Sequence, residues 1–202
     1  MSIPRDIIVI GAAEGSLPFL QRLLTDLPAS LPAAVLVVLH APLDALQLDL
    51  MLGDTGALPL VYARECQAIR HGQVYLAAPD TELVIRPSGV LGIDPIPLGR
   101  ERRSAIDRLF LSAADVLGFR VIAVLLSRYD GAGTQGLHAV ERADGIGIVQ
   151  EPAEAPVPEM PEHAIKNDKP HYVAPIDGIV MLLNLLTRDD KRSSTASSSI
   201  NA

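Results

Sequence analysis

The 202-residue sequence has few aromatic residues, with no tryptophan, four tyrosines and three phenylalanines. Proteins that stack nucleic-acid bases on aromatic side chains need more of them. Basic residues are also in the minority, since 17 Lys and Arg stand against 24 Asp and Glu, for a net charge of −7. A phosphate backbone needs a basic surface, so nucleic acid is excluded as the main partner.

Cysteine is nearly absent, with Cys66 the single example. It cannot form an internal disulfide, and this usage is typical of a reducing compartment. No apolar run reaches the roughly 18 residues of a membrane span, and residues 1–5 lack the pattern of a secretion signal. We therefore predict a cytoplasmic protein without membrane insertion. The five histidines show no metal-ligand spacing, so neither a metal nor another cofactor is expected.

Hydrophobic residues make up 49% of the chain, and short apolar runs alternate with amphipathic stretches. This order predicts an α/β fold with a doubly wound, mostly parallel sheet flanked by helices. Strands are predicted at 6–10, 33–39, 60–63, 120–126, 146–150 and 172–173, and helices at 17–27, 43–52, 105–117, 134–143, 160–165 and 176–187. Ser16 and Thr134 are the predicted N-caps of the helices that start beside them.

A different pattern interrupts this alternation between residues 72 and 93. Three short runs, at 73–77, 82–85 and 90–93, are separated by turn residues such as Pro79-Asp80 and Pro87-Ser88-Gly89. We predict an inserted antiparallel β-hairpin here. Residues 1–188 then form one domain, and the polar, Ser-rich stretch 189–202 is predicted to be a disordered tail.

Candidate functional residues stand where predicted strands end. The first strand runs into the turn Gly11 to Ser16, the second ends on His40, and a later strand leads into residues 127–133. In an open α/β sheet, ligands and chemistry gather at the carboxyl ends of the strands. Dinucleotide binding is disfavoured, because the turn lacks the full glycine fingerprint and His40 stands where an acidic residue should end the second strand.

Several spaced motifs between about residues 6 and 186 resemble the catalytic domain of the CheB protein-glutamate methylesterases of bacterial chemotaxis. The matching segments are Gly11-Ala12, His40, residues 72–80, residues 106–110 with 112–114, residues 133–137, residues 149–152, and Met160-Pro161 with Ala164-Ile165. The resemblance implies a parallel α/β sheet with a β-hairpin. It also implies hydrolysis of receptor glutamate methyl esters by a Ser-His-Asp triad.

The same resemblance implies methyl-accepting chemoreceptor helices, or related signalling proteins, as partners. The family places a regulatory receiver domain ahead of the esterase, and we expect that domain to be absent here because the chain starts directly on the first strand. The oligomeric state stays open at this point.

The resemblance carries over only one member of the triad. Aligned on the motifs, the nucleophile position is Ala13 and the aspartate position is Ala132, whereas His40 matches the histidine. A methyl group cannot attack a carbonyl carbon. We therefore expect a CheB-type domain whose ester hydrolysis is lost or severely impaired.

Two other interpretations stay open. In the first, the chain is an active esterase or hydrolase that uses Ser16 as a displaced nucleophile with His40 and Asp130. In the second, the alanines at positions 13 and 132 were introduced to trap a substrate. Further departures from the family pattern, at Glu14 and Arg128 among others, favour natural divergence over the second interpretation.

Overall fold

The computed structural model describes residues 4–40, 52, 56–96, 104–126, 133–154 and 170–188. Its strands are β1 (Ile7–Ala13), β2 (Ala34–His40), β3 (Leu60–Tyr62), β4 (Val74–Leu76), β5 (Thr81–Ile85), β6 (Leu91–Pro95), β7 (Val121–Leu125), β8 (Ile146–Gln150) and β9 (Tyr172–Ala174). Its helices are α1 (Leu17–Asp26), α2 (Ser104–Leu117), α3 (Thr134–Arg142) and α4 (Ile176–Leu186). Within these residues no helix is long and apolar enough to cross a membrane.

Seven of the strands form one parallel sheet in the order β3-β4-β2-β1-β7-β8-β9. The central strand β1 is buried along its whole length. Its run of isoleucine and valine suits a strand that is covered on both faces. The helices α1 and α4 cover one face of the sheet. The helices α2 and α3, together with β5, cover the other. The predicted fold class is confirmed.

The inserted hairpin is smaller than the sequence predicted. Only β5 and β6 pair antiparallel, whereas the run at 73–77 contributes β4 to the parallel sheet, between β2 and β3. Assigning that run to the hairpin was wrong, because a three-residue buried strand carries no signal of its direction. Outside the described residues lie the predicted helix at 43–52, except for Leu52, the predicted helix at 160–165 and the predicted tail at 189–202.

The amino edge of the sheet is held by a buried carboxylate. Asp6, which is 5% exposed, accepts two hydrogen bonds of 2.8 Å from the guanidinium of Arg120. Its Oδ2 also lies 2.9 Å from Nε2 of His71. The hydrogen bond to Asp6 raises the pKa of Arg120. These contacts join the starts of β1 and β7 to the segment before β4, and so fix the strands whose opposite ends form the site.

The direction in which successive strands are added to the sheet changes at β1. The chain passes from β1 to β2 on one side, and it returns later with β7 on the other side. At such a switch point the loops after the two strands diverge and leave a crevice at their carboxyl ends. Ala13 and Leu126, at the carboxyl ends of these two strands, therefore mark the expected position of a site.

Candidate active site

Ala13 and His40 lie side by side at the carboxyl edge of the sheet. They are directly paired in the register of the two parallel strands, and neighbouring strands lie about 4.8 Å apart. Ala13 is 9% exposed, and His40 is partly exposed. Paired residues project to the same face, here the face covered by α2 and α3. The structure thus brings together two of the predicted site residues.

The side chain of Ser16 stabilises the turn that follows β1. Its side chain is fully buried, and its Oγ accepts a hydrogen bond of 2.9 Å from the N–H of Ala13. The same hydroxyl donates to the carbonyl oxygen of Ala13 at 2.7 Å. Ser16 occupies the N-cap position of α1 but makes no capping hydrogen bond with its side chain. The predicted N-cap position of Ser16 is confirmed, but its hydroxyl bonds backwards to β1 instead of capping α1.

Two glycines allow α2 to approach this edge closely. A Cβ built on Gly11 collides with Cγ2 of Ile106. A Cβ built on Gly133 comes 2.8 Å from the same Cγ2 and 2.5 Å from Cδ1 of Leu125. Ile106 is fully buried, so one side chain of α2 fills the space beside both glycines. This packing holds the end of β1 next to the start of α3.

Asp107 fixes the start of α3. Its Oδ1 accepts a hydrogen bond of 2.8 Å from the N–H of Gly136, and its Oδ2 accepts one of 3.1 Å from Gly133. Gly133, with a φ of 91°, is the N-cap residue of α3. The prediction that Thr134 caps this helix was therefore wrong. An acidic residue in the first turn of α2 was the available signal, but nothing in the sequence showed that it reaches another helix.

Ala132 and Asp130 lie outside the described residues, as does the whole segment 127–132. The structure describes the two ends of that segment. The N–H of Leu126 donates to the carbonyl oxygen of Gly11 at 2.9 Å, and Gly133 shares the contact of Gly11 with Ile106. The segment thus leaves and re-enters the described fold beside β1. The roles of positions 130 and 132 stay predictions.

The far side of this edge is formed by β8 and β9. Gln150, at the end of β8, is fully buried, and the N–H of Glu151 donates to the carbonyl oxygen of Ala174. The carboxylate of Glu154 accepts a 2.7 Å hydrogen bond from the N–H of Ile176 and caps α4. No group of three or more His, Cys, Asp or Glu suited to a metal ion occurs among the residues described.

The fold and this edge define a doubly wound α/β domain with its candidate site at the switch point of the sheet. The family model of the CheB methylesterases matches residues 8–183. The chain belongs to the CheB methylesterase family.

Three similar proteins illustrate the match. The protein-glutamate methylesterase/protein-glutamine glutaminase 2 of Burkholderia lata is 33% identical over 184 residues, which cover 90% of this chain and 54% of the relative. A putative enzyme with the same double name from Leptospira interrogans is 28% identical, over 91% of this chain and 95% of its own length. The crystal structure of the Thermotoga maritima CheB methylesterase catalytic domain has a TM-score of 0.82 and 27% identity, and the match covers 91% of this chain and 100% of that one.

The shares of length differ among these relatives. The chain spans about half the length of the Burkholderia lata protein and of other curated relatives that it matches. It spans nearly all of the Leptospira protein. The fold that the chain shares with the Thermotoga maritima protein is that of its catalytic domain.

Proposed function

We propose that this chain binds methyl-esterified glutamate segments of chemoreceptors, in a chemotaxis-type signalling system, and has lost most or all of the family's esterase activity. The observation that carries the proposal is the end of β1. Ala13, in register with His40, presents a methyl group at the position where the family resemblance expects a serine hydroxyl.

The chemistry of ester hydrolysis explains why this substitution matters. The reaction needs a hydroxyl to attack the carbonyl carbon, a base to take its proton and a carboxylate to orient the base. In a comparable triad, loss of the serine lowers kcat by about 10⁶-fold, and about 10³–10⁴-fold over water is left from oxyanion stabilisation and binding. The sequence also has the acidic residue Glu14 next to this position, and a negative charge opposes a developing oxyanion.

The alternative of a displaced nucleophile at Ser16 is weaker for a geometric reason. The hydroxyl of Ser16 is fully buried, and it already donates to one backbone group of Ala13 and accepts from another. A hydroxyl that attacks an ester must be accessible and must give its proton to a base. Ser16 would have to break both hydrogen bonds first, so its role as part of the turn is favoured.

The substrate class is inferred from the family. Relatives at about 30% identity carry the double name of methylesterase and glutaminase, two reactions in which a glutamyl side chain with a neutral leaving group is hydrolysed. We assign the same ligand class to the crevice beside Ala13 and His40. A cytoplasmic location fits such a ligand.

Methanol release and receptor binding, measured on the same methyl-esterified chemoreceptor preparation, test the proposal. We expect this chain to bind the preparation while releasing methanol at least ~10⁴-fold more slowly than the Thermotoga maritima catalytic domain. Release within about tenfold of that domain, abolished by His40→Ala, would overturn the loss of activity. If Ser16→Ala also abolished it, the displaced nucleophile would be the correct assignment. Absence of binding would overturn the proposed ligand.

A further inference from the structure

A second surface with features of a binding site lies on the opposite face of the sheet. Among the described residues, six large hydrophobic side chains are exposed, and four of them fall between positions 172 and 185: Tyr172, Val173, Met181 and Leu185. Met181 is 73% exposed and Leu185 is 67% exposed. Residues four apart share one side of a helix, so the two form an apolar stripe on α4.

The stripe borders a groove of about 710 Å³ between α4 and the end of α1. The groove is lined by Asp26, Pro28, Ala174, Gly178, the stripe and Arg188, among others. The other side of α4 packs into the core through Ile176, Ile179 and Leu183. This core lies on the face of the sheet opposite to Ala13 and His40, so the groove is separate from the candidate active site.

Charges at the two ends of α4 indicate what could cover the groove. Asp177 stands in the first turn, with its carboxylate 64% exposed and 2.6 Å from the guanidinium of Arg22. Arg188 follows the last turn, and it also lines the groove. The stripe thus lies between an acidic start and a basic end.

The exposed side of α4 is complementary to the same side of a second, antiparallel copy of the helix. In an isologous interface, residue i contacts residue j of the second copy and j contacts i. When two α4 helices run antiparallel with Met181 against Leu185 of the second copy, the same register sets Arg188 beside Gly178 of that copy. Asp177 adjoins Gly178 and already pairs with Arg22, so the guanidinium of Arg188 would join that ion pair at each end. The absence of a side chain at Gly178 leaves room for the approach.

We propose that a second copy of this chain occupies the groove, forming a two-fold symmetric dimer through antiparallel α4 helices. The two active-site edges then lie on the outer faces of the dimer. An apolar centre with charged ends is the composition of a stable interface. It places the binding energy on Met181 and Leu185, with the charges fixing the register.

Sedimentation equilibrium of the full chain between ~1 and ~300 µM tests this dimer. We expect reversible dimerisation that Leu185→Glu and Arg188→Glu each weaken at least ~10-fold. The matched control is Leu111→Glu, on an exposed leucine of α2, which should leave the dimerisation constant unchanged. A monomer at every concentration would overturn the proposal, as would a dimer that neither groove variant weakens.

Cysteine cross-linking tests the register in a Cys66→Ser background. A mixture of Met181→Cys and Leu185→Cys proteins should cross-link faster than either variant alone, because the antiparallel register opposes the two positions. Faster cross-linking of each variant with itself would indicate parallel helices and overturn the register. If the protein is monomeric and the Met181→Cys thiol is nevertheless shielded from alkylation, residues 189–202 or another part of the chain fill the groove and the dimer is wrong.

Discussion

The contact of Ile106 with Gly11 and Gly133 makes this edge sensitive to a single added methyl group. Gly133 has a φ of 91°, and its Cβ position is blocked by Leu125 and Ile106. Gly72 has a similar φ of 70°, but nothing lies within 4 Å of its Cβ position. A comparison of Gly133 with Gly72 therefore separates the cost of the left-handed backbone, which both positions share, from the cost of steric overlap, which arises only at Gly133.

We predict that Gly133→Ala lowers the free energy of unfolding more than Gly72→Ala does. Left-handed backbone costs a residue with a Cβ about 1–2 kcal/mol, a penalty that both variants share. Overpacking adds about 1–3 kcal/mol at Gly133 alone. Urea denaturation measures both losses. Equal losses would show that the space around Gly133 can relax. If it cannot, Leu125→Val, which removes the nearest overlapping atom, Cδ1 of Leu125, should recover part of the extra loss.

The capping of α3 belongs to the scale of the element. The helix begins at a glycine, and the hydrogen-bond acceptor for its first N–H groups comes from Asp107 of α2. Removing that carboxylate leaves two backbone donors unpaired. An unsatisfied buried donor costs about 1–3 kcal/mol.

We predict that Asp107→Ala destabilises the protein by about 1–3 kcal/mol and increases hydrogen exchange at the first turn of α3. Asp115→Ala is the matched control, since Asp115 is an exposed residue of the same helix. The assignment would be contradicted if both variants unfolded at the same urea concentration, or if the exchange at Gly136 were unchanged.

The hairpin is tied to the segment before β4 by an exposed ion pair. Both carboxylate oxygens of Glu65 accept hydrogen bonds from Arg86, and one also accepts the N–H of Ile93. The hydrogen bond from Arg86, followed by that from Ile93, lowers the pKa of Glu65 below its ordinary value of 4.5. A lowered pKa means that the folded state favours the ionised carboxylate.

We predict that Glu65→Gln lowers the melting temperature slightly at neutral pH and that this difference fades as the pH falls. The contribution is fully present above pH 4.5 and is lost as the pH drops through the lowered folded value. The effect is small because the pair is exposed to solvent. Glu151→Gln, on an exposed glutamate, corrects for the loss of one acidic charge. A difference that grows on acidification would contradict the sign.

Particular elements show what the sequence could and could not predict. The strands β1 and β7 were readable because uninterrupted apolar runs have few other solutions in an α/β chain. The sequence did not predict the direction of β4, the N-cap residue of α3 or the hydrogen-bond partners of the Ser16 hydroxyl. Pairing direction depends on a neighbour distant in sequence, and a hydroxyl or carboxylate can bond to any backbone group that the fold brings near. The adjacency of Ala13 and His40 followed from strand order, whereas positions 130 and 132 stay predictions.

At the scale of the whole molecule, the sheet carries two surfaces on opposite faces. The candidate active site uses the carboxyl ends of β1 and β2, and the proposed dimer uses α4. These surfaces share no residue, so variants of one should leave the other intact. Leu185→Glu is therefore expected to keep receptor binding while it weakens the dimer, as parallel binding and sedimentation measurements would show.

The proposed loss of esterase activity predicts that the missing groups of the triad can be supplied by substitution. Ala13→Ser supplies the hydroxyl, and Ala132→Asp supplies the carboxylate at the position where the resemblance expects the aspartate. In a comparable triad, the serine is worth about 10⁶-fold in kcat and the aspartate about 10⁴-fold or slightly more. We thus predict that Ala13→Ser alone raises methanol release from methyl-esterified receptor by about 10²-fold. Adding Ala132→Asp should raise it towards 10⁶-fold.

The matched control for this rebuilding is Ala12→Ser with Ala132→Asp. Ala12 is fully buried and packs in the core on the face of α1 and α4, so a hydroxyl there points away from His40 and should give no gain. His40→Ala should remove any activity that Ala13→Ser restores, because the new hydroxyl then lacks a base. If the doubly substituted protein folds and binds receptor but still releases no methanol, positions 13 and 132 are not the nucleophile and aspartate positions. If the control variant is as active as Ala13→Ser, the face assigned to the site is wrong, since opposite sides of one strand cannot both present a hydroxyl to the same histidine.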